Sequence, residues 1–399
     1  MRNKFPEYYT PTEKEFEELW ENCIFVFDTS VLLNLYEYSE KSRDEFLSML
    51  KKISKRIWIP FQVGKEFQSR RPHIIREQKD KYHRIQSIIT EGKNEIIAEI
   101  EKQKNIEYHP FIDKKELKKK IESSFSDIDL FLKECERKYP DLTKKDNIGE
   151  EIDTLFADKV GDAYTPDRMR ELITIAKKRF EEKVPPGFAD QEKNSEKRYW
   201  DFISWTQIIE YAKNIDKSVI FVNDDEKNDW WIIYEYKTPK QEIIAPHPEL
   251  IKEFYEDSKK QFYMYNSDNF LKSFNKHLKG RVSNDTIKEV RSLRAQQQLN
   301  KDLYLWIKQN PELLSDLNKM FSQRNLTYHP IRIKEFMRAL EKRNIPKEVI
   351  DKFLSYNDFQ NIRNSKMHGY YFEPNKIRFE SEDMGDIEKS DKLDDDDFT

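Results

Sequence analysis

Twice in this chain a short run of large apolar residues breaks off at an aspartate, in CIFVFD at 23–28 and in KSVIFVNDD at 217–225. A nearly continuous apolar run of this length suits a strand buried on both faces of a parallel sheet. After Asp28 comes TSVLLNLYEYS, where Thr29 or Ser30 can cap a helix that presents Val31, Leu32, Leu35 and Tyr36. RIWIP at 56–60 reads as another strand, ended by proline, and QVGKEFQSRR opens the next helix with Glu66 near its start. YWDFISWTQIIEYAKN reads as a helix with Asp201 in its first turn. The alternation of strand and helix predicts an α/β fold around a parallel sheet.

In open parallel sheets, ligands bind beyond the carboxyl ends of the strands, where the strand order reverses. Asp28, Glu66, Asp224 and Asp225 lie at or just past such ends, and Asp201 enters from a helix start. Carboxylates converging there repel one another unless a divalent cation neutralises them. Oxygen-only ligation selects Mg²⁺ or Mn²⁺, which can activate water and steady the leaving oxygen of a phosphodiester. With 75 acids in 399 residues, a single Asp or Glu is usually a surface group, so the constellation carries this reading.

From about residue 76 to 182 the sequence is long, charged and helical in period, with sparse apolar positions. It predicts a helical insertion: a solvated hairpin, or an arm for self-association or a protein partner. Beyond it, DWWIIYE and two helical stretches, ELIKEFYEDSKKQF and SDNFLKSFNKHL, are expected to complete the first domain, residues 1–280. From Arg281 the chain turns amphipathic and basic through DLYLWIKQ, ELLSDLNKMF, IRIKEFMRALEKR and KEVIDKFLSY. Residues 281–379 carry nineteen Lys and Arg against eleven acids, and 380–399 carry ten acids against two lysines. The expectation is a basic all-helical module, placed to grip substrate or a partner, followed by an acidic disordered tail.

Several blocks in the same order resemble bacterial PIN-like domains. FVFDTSVLLNLYEYS and RIWIPFQVGKEFQSRR are similar to the opening half, and PPGFADQEK, YWDFISWTQII and VIFVNDDEKNDWW to the closing half. The resemblance covers about residues 20–265. It implies a three-layer α/β/α fold and a metal-dependent nuclease, with RNA favoured over DNA as substrate. Asp28, Glu66, Asp201 and Asp225 match the family's catalytic and metal-holding acids, with Asp190 of the PPGFAD loop and Asp224 as further ligands. Thr29 and Ser30 match small hydroxyls beside the first acid. Two departures stand out: Trp200 precedes Asp201 where glycine is frequent, and Asn223 replaces a threonine. A bacterial toxin or phage-defence effector fits a PIN-like nuclease joined to an accessory module. The competing reading is a non-catalytic module that keeps the fold for nucleic-acid or protein binding.

Arg70, Arg71, His73 and Arg76 follow Glu66 on one helix, and Lys193 and Lys197 precede Asp201. Of these, Arg70, Arg71, Arg76 and Lys193, with Ser30, are the candidates to meet substrate phosphates. A solvated basic face accounts for the arginines equally well. Trp230 and Trp231 suit core packing better than base stacking. The two cysteines and seven histidines show no metal-ligand spacing, and no glycine-rich phosphate loop is present. Without an apolar span or a secretory leader at its start, the chain is expected in the cytoplasm, with nucleic acid as its partner and no membrane.

Overall fold

The computed structural model describes residues 1–309, apart from position 3 and the stretches 104–108, 139–140, 192–195 and 236–240. Contacts divide the chain into two units: Met1–Tyr234 with Gln241–Gln298, and Glu235–Lys240 with Leu299–Thr399. The first carries the sheet and its helices. Within the second, residues 299–309 are helical, and the later amphipathic segments and the acidic tail lie outside the described residues.

The first unit opens with α1 (Glu13–Asn22), whose Thr12 and Glu15 form a reciprocal capping box. Next come β1 (Ile24–Phe27), α2 (Thr29–Asn34), α3 (Glu40–Lys52) and β2 (Ile57–Trp58). A long helix, α4 (Phe61–Lys102), is followed by α5 (Lys114–Lys138), α6 (Asn147–Leu155) and α7 (Pro166–Glu181). Then follow α8 (Trp200–Ile215), β3 (Val219–Val222), β4 (Trp231–Glu235), β5 (Gln241–Pro246), α9 (Pro248–Ser258), β6 (Phe262–Tyr265), α10 (Ser267–His277) and α11 (Asn284–Gln309).

Four strands form one parallel sheet in the order β2-β1-β3-β6. Because side chains alternate across a strand, each strand feeds two cores. Phe25 and Phe27 of β1, Ile220 and Val222 of β3, and Ile57 of β2 face a core built with α1, α2, α3, α6 and α10. Val26, Val219, Phe221, Trp58, Phe262 and Met264 face the opposite core, with α7, α8 and α9. The result is a three-layer α/β/α arrangement, which explains why the strands read as unbroken apolar runs. Phe25 and Phe27 are completely buried, each stabilising the fold by roughly 1.5–3 kcal/mol.

Three findings differ from the sequence reading. The sequence reading puts Phe262 at the end of a helix and assigns 263–265 to no element, but FYMY is the fourth strand, with Phe262 and Met264 in one core and the two tyrosines against the other. The charged stretch after residue 76 is not uniform. Helices α4 and α5 pack together and α5 buries no residue, whereas α6 and α7 give Ile148, Ile152, Leu172 and Phe180 to the cores. Finally, Val282, Ile287 and Val290 are buried in the first core, so the start of α11 belongs to the sheet-bearing unit.

Candidate active site

The strand order fixes where a ligand can enter. From β1 the chain steps outward to β2, then returns to β3 on β1's other side, so the order reverses between β1 and β3. The helices leaving neighbouring strands at such a point go to opposite faces and open a crevice at the carboxyl ends. The ladder fixes both rims: Asp28 N–H donates to Val222 O at 2.9 Å, and Asn223 N–H to Tyr265 O at 2.9 Å.

Asp28 caps α2, and its Oδ2 accepts from Ser30 N–H at 3.0 Å and from the Ser30 hydroxyl at 2.6 Å. Burial pushes its carboxyl pKa up; neighbouring Glu66 and Asp225 add to the rise, and the Ser30 hydrogen bonds oppose it. Glu66 projects from the second turn of α4. Thr29 Oγ1 donates to its Oε2 at 3.1 Å, and Arg70 Nη1 lies 2.9 Å from Oε1. Thr29 and Ser30 therefore each hold one acid, and Arg70 pairs with the second.

Across the crevice, Asn223 Oδ1 accepts from Asp225 N–H at 2.8 Å, turning the chain directly after β3. The two adjacent aspartates diverge there. Asp224 is buried and turned away from the other acids: it accepts from Ser267 N–H at 2.8 Å, the Ser267 hydroxyl at 2.7 Å and Asn34 Nδ2 at 3.1 Å. Both its oxygens are thereby occupied, and Asp224 braces the turn after β3 against Ser267 and Asn34. Asp225 instead faces Asp190 and Asp201 through a shared partner. That partner is Lys227, whose Nζ lies 2.7 Å from Asp225, 3.0 Å from Asp190 and 3.1 Å from Asp201.

The remaining acids arrive on separate elements. Asp201 sits in the first turn of α8, and its pKa is pushed up to about 6 by burial. Lys227 opposes that shift, while Asp190, Asp225 and Asp28 add to it. Asp190 ends a single 3₁₀ turn, Phe188–Asp190. Gly187 before it adopts φ +102°, and an added Cβ would lie 2.8 Å from the Phe180 ring. Asp229 holds this turn, accepting from Gly187 N–H at 2.8 Å and Ala189 N–H at 3.1 Å. It is fully buried, which with Asp201 nearby raises its own pKa to about 6. Burial works against the charge on Lys227, but Asp201, Asp225 and Asp190 outweigh it and hold its pKa well above the ordinary value.

Five acids, Asp28, Glu66, Asp190, Asp201 and Asp225, thus share one electrostatic neighbourhood. Their all-oxygen donor set fits Mg²⁺ or Mn²⁺. Among the described residues, however, no group of three such side chains stands ready to hold an ion; between Asp190, Asp201 and Asp225 that place is taken by the ammonium of Lys227. Neither Lys227 nor Asp229 was singled out from the sequence. Both sit in a run of charges, DDEKND, that looks like ordinary solvated surface, and only the buried Trp230 and Trp231 beside them hint otherwise.

The basic candidates separate. Arg71 points to α6, 3.3 Å from Asp146 and 3.5 Å from Asp153, and so ties two helices instead of meeting the acids. Arg76 is exposed ten residues beyond Glu66, roughly 15 Å further along the helix. Lys193 lies outside the described residues. Lys65 and Lys197 flank Trp200, with Nζ 5.9 and 5.5 Å from its ring centroid. Trp230 and Trp231 pack in the second core.

A family model for the PIN-like domain matches residues 24–250, more than half of the chain, a range within which all five acids fall. The chain belongs to the PIN-like domain family. PIN-like domains are generally of nuclease type. Comparison with curated proteins and with solved structures returned no match. Among the described residues, no helix is long and apolar enough to cross a membrane.

Proposed function

We propose that this PIN-like domain is a nuclease that depends on a divalent metal and hydrolyses nucleic-acid phosphodiester bonds, with RNA preferred. The observation that carries the reading is the gathering of five carboxylates from five separate elements at the reversal of strand order. Asp190 is buried and the other four are half-buried, and burial raises the pKa of Asp28 and Asp201. Isolated surface acids do not have this character, and burial of so much negative charge favours a strong cation. Asp28, Glu66, Asp201 and Asp225, with Asp190, would hold Mg²⁺ or Mn²⁺, which when bound would neutralise the cluster, activate water and stabilise charge on the phosphate.

The chain's own residues prepare this chemistry. Ser30 fixes the orientation of Asp28, and Thr29 that of Glu66, so neither carboxylate must reorganise as a substrate arrives. Arg70, partly exposed beside Glu66, would meet a phosphate oxygen, and Lys65 and Lys197 add positive charge around Trp200. The preference for RNA rests on the family resemblance. To test the proposal, purified full-length chain is incubated with single- and double-stranded RNA and DNA, with Mg²⁺, Mn²⁺ or EDTA. Cleavage of RNA in either metal and none in EDTA is expected. Cleavage indifferent to EDTA would contradict the metal requirement, and no cleavage of any polymer would favour a binding role.

A further inference from the structure

Lys227 lies within the cluster and has no part in the proposed chemistry. Its Nζ touches three carboxylates that come from three separate elements, at 2.7, 3.0 and 3.1 Å. A lysine ammonium has three donors, so these contacts satisfy it fully. The backbone of the same residue is anchored, because Lys227 O accepts from Trp230 N–H and Trp231 N–H, both at 3.1 Å. Trp230 and Trp231 are buried in the second core. The position is thus a fixed base bearing a flexible four-carbon stem with a point charge at its tip.

We infer that Lys227 is a resident cation of the carboxylate cluster, holding Asp190, Asp201 and Asp225 together in the metal-free chain and giving up that place when a divalent metal enters. The inference rests on the proposed metal-dependent reading and adds a competitor to it. Two observations favour exchange over coexistence. The three carboxylates already converge on Nζ, so a metal using them meets the ammonium directly, and like charges at that range repel. In addition, oxygens lie at about 2.0–2.1 Å from Mg²⁺, closer than they lie to Nζ here, so the carboxylates must draw in around the smaller ion as the lysine leaves. Side-chain rotation suffices for that departure because the backbone anchor lies outside the cluster. Lys227 is therefore a positioning residue for the three carboxylates when no metal is bound and a built-in brake on metal affinity.

The test compares full-length wild type with Lys227→Met, without nucleic acid, by calorimetric titration with Mn²⁺. Removal of the competing charge should tighten Mn²⁺ binding about tenfold or more, and Mn²⁺ should raise the melting temperature of the variant further than that of wild type. A second measurement uses wild type alone and so does not depend on the variant folding: amine acetylation read by mass spectrometry. Lys227 should be protected in EDTA and labelled in Mn²⁺. If wild type binds Mn²⁺ while Lys227 stays protected, or if Lys227→Met binds Mn²⁺ no more tightly, the exchange is wrong and the nuclease reading stands. If wild type binds no Mn²⁺ at all, the metal site itself falls, and the inference with it.

Discussion

Asp224 and Asp225 are neighbours of identical chemistry with opposite surroundings, and the difference decides what each substitution does. Asp224 satisfies Ser267 and Asn34 in a buried network, so Asp224→Asn should lower stability by about 1–3 kcal/mol while leaving residual cleavage. Asp225→Asn should leave the fold in place and remove cleavage, because Asp225 lies among the other acids. Denaturant unfolding and initial cleavage rates on both variants check this; the reverse pattern would move the site to Asp224. From the sequence, alternation along a strand already separates the two side chains, but the structural cause is the turn made by Asn223 just after β3. Asp229 allows a pH prediction. Its folded pKa is about 6 against an ordinary value of 3.8, so the folded chain binds the proton more tightly. That contribution to stability is complete below about pH 4 and is lost as pH rises through 6. In EDTA, Asp229→Asn should flatten the melting temperature between pH 4 and 7, removing a slope worth up to about 2 kcal/mol. A variant curve parallel to that of wild type would assign the slope to other groups.

At the scale of elements, the 3₁₀ turn that carries Asp190 depends on a glycine in a conformation L-residues rarely adopt, against the Phe180 ring. Gly187→Ala should cost about 1–3 kcal/mol in stability and should also weaken Mn²⁺ binding, because Asp190 moves with the turn. Thermal melts with and without Mn²⁺ measure both effects, and an unchanged metal-induced shift would remove Asp190 from the ligand set. The segment 223–227 is braced from α10 and α11. Arg294 pairs with Glu226 and lies 2.8 Å from Asp268, and Gln297 Nε2 donates to Asn34 Oδ1 at 2.8 Å. These contacts reach across long sequence separations, which explains why the start of α11 looked like part of another module. Likewise β6 escaped notice because four consecutive aromatic or apolar residues show no period of their own. The two central strands were legible because their apolar runs end sharply at acids.

For the whole molecule, the topology joins what the sequence keeps apart. Asp28 and Asp225 are nearly two hundred residues distant, yet the parallel pairing of β1 with β3 sets them on facing rims of one crevice. Asp28 and Asp225 stand out in the sequence because apolar runs end beside them, and Glu66 and Asp201 because they open helices, whereas Asp190 is suggested by the family resemblance alone. Their shared cation is harder to read, because Lys227 lies within a charge run and only the tryptophans that follow it hint at burial. The charge asymmetry between residues 281–379 and 380–399 falls largely outside the described residues. Metal-dependent phosphodiester hydrolysis by the carboxylate cluster is tested by RNA cleavage by wild type and Asp28→Asn across a Mn²⁺ titration. Wild type should cleave with a saturable dependence on Mn²⁺. Asp28→Asn, with unchanged or higher melting temperature since it relieves repulsion from Glu66 and Asp225, should be slower by about a hundredfold or more. Cleavage by folded Asp28→Asn at the wild-type rate would contradict the assignment of this site.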